Sequence, residues 1–121
     1  MMWMWWGSVT MFLGVALGAF GAHGLKDALT AEAKSIYQTA VLYHLIHGLA
    51  LICVGLMTIM KPTAPALRAA GWSFLIGILF FSGSLYLLSV TGVKKWGAMT
   101  PIGGLLFLIG WLCLAIAAHP R

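Results

Sequence analysis

The chain has 121 residues, of which 62% are hydrophobic and 7% charged, and its formal net charge is +5. A soluble domain carries roughly 25% charged residues, and a chain this short has no interior able to hide so much apolar surface, so a soluble globular protein is excluded. The positive charges lie between the apolar runs, with no basic stripe, Gly-rich phosphate loop or CxxC pair, so they read as headgroup and topology chemistry rather than nucleic-acid binding.

The first apolar run covers residues 3–22 and lacks the basic start of a signal peptide. Trp3, Trp5 and Trp6 suit the headgroup interface. Gly7, Gly14 and Gly21 recur every seven residues, and Gly14 with Gly18 forms a GxxxG, a pattern that lets helices approach closely. Gly24 is a natural stop, and Lys26, Asp27, Glu32 and Lys34 mark an interfacial turn. Thr30 is placed to cap the next helix, with Glu32 in its first turn.

The second helix is expected over 31–60 with its apolar span at 36–60, the longest of the set, projecting past the bilayer at its start. From Val41 to Met60 it holds no ionisable side chain of Lys, Arg, Asp or Glu. About 20 such residues at 1.5 Å each cover roughly 30 Å, the thickness of the hydrocarbon core. Pro62 and Pro65 end it. The third span is 67–89, in a helix expected at 66–90, with Arg68 and Trp72 near its entry and Ser73 with Gly77 as a small-xxx-small pair. After the charged return around Lys94 and Lys95, the fourth span runs over 98–118, with Thr100 as the expected cap and Pro101 as the first helical residue. Gly103, Gly110 and Ala117 again keep a seven-residue spacing. Cys53 and Cys113, each inside a span, read as small packed hydrophobes.

Four spans with short connections predict a single domain over 1–121, an all-α, polytopic membrane protein built as an antiparallel four-transmembrane-helix bundle. Both termini then share one side, A, with Lys61, Arg68 and Arg121, while side B bears Lys26, Lys34, Lys94 and Lys95. These counts are too even for the positive-inside rule to orient the chain.

Polar groups inside the spans need partners that lipid does not offer. Counted at 1.5 Å per residue from side B, His44, His47, Ser82 and Tyr86 lie within roughly 12 Å of that surface, with His23 and Thr100 at it. Together with Tyr43 and Ser84 they are the candidates for one polar pocket in the B-side half. Two histidines three apart would offer nitrogens to a metal or a haem, but zinc wants four ligands and no carboxylate lies in the spans. The expectation is therefore no metal and no cofactor, with the rings bonded to serines, tyrosines and carbonyls that fix helix register. Ser82 and Ser84 lack the base and orienting acid that nucleophilic catalysis requires, so no catalytic residue is assigned and the chain is expected not to be an enzyme.

Four stretches carry a family resemblance: Gly18 through Leu25, Tyr43 through Leu51, Phe81 through Tyr86 and Thr100 through Gly104. In order and spacing they resemble the "domain of unknown function 423" family of small bacterial inner-membrane proteins, which has small transmembrane relatives in eukaryotes. The resemblance implies a four-helix protein of the bacterial inner membrane with N- and C-termini in the cytoplasm, and it implies no established activity.

Two function classes follow. The first is a non-enzymatic accessory, assembly or self-associating subunit whose partners are the lipid bilayer and a second copy or another membrane protein, with no nucleic acid. Its packing ridges would be Gly14, Gly18, Gly21, Gly77, Gly103 and Gly110, serving mainly contacts within the chain. The second is a small transporter or channel using the His/Tyr/Ser pocket. The acidic residue on which small multidrug transporters depend is missing from the first span, which disfavours proton-coupled export of that kind.

Overall fold

The polypeptide turns wherever a cap, a proline or a glycine removes the option of continuing a helix. The structure, a computed structural model, describes residues 1–120, and Arg121, assigned above to side A, lies outside the described residues. Four long helices follow in order: α1 Met2–His23, α2 Ala31–Met60, α3 Pro65–Thr91 and α4 Thr100–Ala118. All four are long and apolar enough to cross a bilayer, α4 together with the short 3-10 helix Lys94–Ala98 before it. The chain is a polytopic, all-α membrane protein. At 30 residues, about 45 Å, α2 is the longest.

Thr30 is extended, and its hydroxyl accepts the Ala33 N–H at 3.1 Å, which starts α2. Pro65 opens α3, where its missing N–H costs nothing. Gly92 closes α3 at φ +70°, a conformation open to glycine without strain, and its N–H returns to Leu88 O. The start of α4 differs from expectation. Thr100 is already helical and Met99 precedes it at φ −82°, ψ −21°, continuing the 3-10 turn. A side-chain cap needs an extended residue; Thr100 is not one, and its hydroxyl goes to Ser84 of α3 instead.

Glycines set the helix register. A methyl group on Gly7, Gly14, Gly18 or Gly21 would meet Ile52, Leu45, Val41 or Tyr37, which pairs α1 with α2 in antiparallel order. On the other flank a Cβ on Gly103 would collide with the Phe81 backbone, one on Gly110 with the Phe74 ring, and one on Gly77 with the Phe107 ring, pairing α3 with α4. The ridges on the first and fourth helices are therefore occupied within the chain. Helices α2 and α3 form the central pair, α1 packs on α2 and α4 on α3, and α1 and α4 make no substantial contact among the described residues.

The apolar core gathers Leu51, Val54, Leu67 and Phe74 at the centre, closed by Trp3 and Phe107. Trp3 thus departs from its expected interfacial place. It is 4% exposed, because Gly71 leaves room for its ring and Trp72 meets it edge-on at 5.3 Å. Trp5 keeps an outward position. Cys53 also departs from expectation: it faces outward, whereas Cys113 is half-buried. At the A end Lys61 donates to Ala117 O at 2.7 Å, placing a cation on the negative end of α4.

Candidate functional site

His44 and His47 are three residues apart on α2, and about 100° per residue turns their side chains some 60° from one another. Both are buried, at 5% and 3% exposure, yet they meet different neighbours. His44 turns toward α1 and α3. Its Nε2 donates to Thr10 O at 2.8 Å, and its Nδ1, in the neutral ring, accepts from the Tyr86 hydroxyl at 2.9 Å. His47 turns toward α4. The Trp111 indole has only a proton to give, so His47 Nε2 accepts it at 3.0 Å and Nδ1 donates to Tyr43 O at 2.8 Å. The His47 ring also lies flat on Phe107, with centroids 3.5 Å apart and planes 5° from parallel.

The remaining candidates form separate pairs. Ser82 is fully buried and donates to Ala40 O at 2.7 Å, tying α3 to α2. Ser84 donates to Phe81 O, so the Thr100 hydroxyl donates to Ser84, at 2.6 Å, tying α4 to α3. Tyr43 is outward of His47, its ring against Phe81 at 4.6 Å. His23 is exposed at the end of α1, away from these bonds. The expected single pocket is thus divided: His44, Ser82 and Tyr86 share one seam, Tyr43 and His47 face another, and His23 stands apart, because helix rotation sends residues of similar depth in different directions.

Two grooves open between these seams. One, of about 270 Å³, lies between α1 and α3 and is lined by Thr10, His44, Ser82 and Tyr86 among apolar side chains. The other, of about 690 Å³, lies between α2 and α4 and is lined by Tyr43, His47, Phe81, Phe107 and Trp111. Gly83 in the first has nothing within 4 Å of a built Cβ, and Gly104 in the second has only the Phe81 ring at 3.9 Å. Among the described residues, no three His, Cys, Asp or Glu side chains converge as metal ligands, and no buried side-chain nitrogen or oxygen lacks a hydrogen-bond partner.

Two participants were missed from sequence. Trp111 sits in the body of α4, where an indole N–H needs an acceptor; that depth was the available signal. Tyr37 lies one heptad before His44, hence on the same face; its hydroxyl donates to Leu17 O, and its ring meets Tyr86 at 5.2 Å.

Residues 17–104 match the protein family described as "Protein of unknown function (DUF423)". A "UPF0382 membrane protein" of Staphylococcus epidermidis is 50% identical over 111 residues, covering 92% of this chain and 89% of its own. The UPF0382 membrane protein YwdK of Bacillus subtilis is 41% identical over 112 residues, covering 93% and 91%. A UPF0382 membrane protein of Staphylococcus haemolyticus is 46% identical over 111 residues, covering 92% and 89%. No solved structure matches the chain.

Proposed function

This chain belongs to the DUF423 family of membrane proteins of unknown function, and on that premise we propose that it is a non-enzymatic subunit that works by association within the membrane. The observation that carries this reading is the internal pairing of its inward polar groups: His44 with Tyr86, His47 with Trp111, Ser82 with Ala40 O and Ser84 with Thr100. Polar side chains used in this way hold helices together. The groove between α2 and α4 is the association face. Its lip is apolar through Leu105 and Leu108, and Gly104 leaves space for the backbone of a further helix. The occupant is a second copy of the chain.

The four helices of this chain long and apolar enough to cross a bilayer, with relatives named as bacterial membrane proteins, favour the inner (cell) membrane, since outer membranes are crossed by barrels. Both termini face the cytoplasm in this reading, and reporter fusions at each end test it.

Cross-linking tests the association. With Cys53 and Cys113 replaced by serine, Leu108→Cys in the groove is expected to form covalent dimers in native membranes, and Phe12→Cys on the outer face of α1 is not. Absence of a Leu108→Cys dimer, or an equal yield from Phe12→Cys, contradicts self-association; a Leu108→Cys product with another membrane protein replaces the second copy by that partner. A transporter reading draws on the open groove beside His44, Ser82 and Tyr86. Solute flux in proteoliposomes that is abolished by His44→Gln would establish it.

A further inference from the structure

On side B the outer seam between α1 and α2 opens into a third groove, of about 510 Å³. Gly18 and Gly21 of α1 keep one wall low, and Val41, Leu42 and Leu45 of α2 form the other. Lys26, from the connection, and Lys34, from the first turn of α2, both line it toward side B. Gln38, one turn below Lys34, lines the same slot with an exposed side chain. The lining includes neither Asp27 nor Glu32; Glu32 lies in the adjacent cleft beside Lys94. From Lys34 to Leu45 the helix descends about 16 Å at 1.5 Å per residue, so the slot begins at the aqueous surface and ends well inside hydrocarbon. Two ammonium groups and an amide above an apolar channel match an anionic group carrying a hydrocarbon tail.

We propose that this groove binds one anionic phospholipid, its phosphate between Lys26 and Lys34 and an acyl chain along Val41 and Leu45. A zwitterionic lipid would set its own cation against the two lysines, and inorganic phosphate would leave the apolar slot unfilled. The site is on the α1–α2 seam, so it does not depend on the association face between α2 and α4.

Native mass spectrometry of the full chain in mild detergent, with phosphatidylglycerol or phosphatidylcholine of identical acyl chains, tests the assignment. One phosphatidylglycerol per chain is expected, retained roughly thirtyfold better than phosphatidylcholine, as two surface lysines near an anionic lipid imply. The double variant Lys26→Gln/Lys34→Gln is expected to lose this preference, and Lys94→Gln/Lys95→Gln, which removes equal charge from the other connection, to keep it. A large excess of inorganic phosphate is expected not to displace the lipid. Equal retention of the two lipids, an unchanged preference in Lys26→Gln/Lys34→Gln, its loss in Lys94→Gln/Lys95→Gln, or displacement by phosphate alone would each overturn the proposal.

Discussion

His47 is held from both ring nitrogens, and the indole of Trp111 supplies one of those bonds. Trp111→Phe keeps most of the packing against Phe74 and leaves Nε2 without its donor. Interhelical hydrogen bonds within membranes average about 0.6 kcal/mol and reach roughly 1.7, so a loss of about 1 kcal/mol is expected in reversible unfolding in mixed micelles. Tyr86→Phe, which frees His44 Nδ1, is expected to cost a similar amount. A double-mutant cycle on His47 and Trp111 isolates the bond, and strict additivity would show that the pair contributes nothing. That His44 and His47 point inward was legible in the sequence, because imidazoles at that depth need partners. Which partners was not legible, because Thr10 O and Trp111 are selected by the rotation of each helix about its own axis, a quantity that depth along the chain does not contain.

At the scale of helices, the spans were legible from the lengths of the apolar runs, and their ends from Gly24, Thr30, Pro62 and Pro65. The onset of α4 was misread, since the 3-10 turn that makes Thr100 helical depends on how the Lys94–Ala98 segment packs under α3. Glycine spacing announced close helix contacts but not their partners, because a ridge reads the same whether it meets its own chain or another. The structure separates the two cases. Gly103→Ala would drive a methyl into the Phe81 backbone, which cannot rotate away, and overpacking of that kind costs about 1–3 kcal/mol. Gly83→Ala meets open space and is expected to change stability by less than about 0.5 kcal/mol, or to stabilise α3 slightly through helix propensity. Thermal unfolding of the two variants side by side checks this, and equal destabilisation would contradict the assigned register.

The whole molecule is a central helix pair with one helix packed on each flank, its polar groups paired inside and its open grooves turned outward. Residual free surface of that kind suits a chain that acts through neighbours in the bilayer. The proposed lipid groove beside Lys26 and Lys34 and the proposed association face between α2 and α4 lie on different seams, so the two proposals stand or fall separately. The most direct measurement is the mass of the particle extracted from native membranes into polymer-bounded nanodiscs without detergent. The account predicts particles containing two or more copies of the chain, or one copy with a membrane-protein partner in fixed ratio. Single chains alone, at every expression level and with no stoichiometric partner, would contradict it.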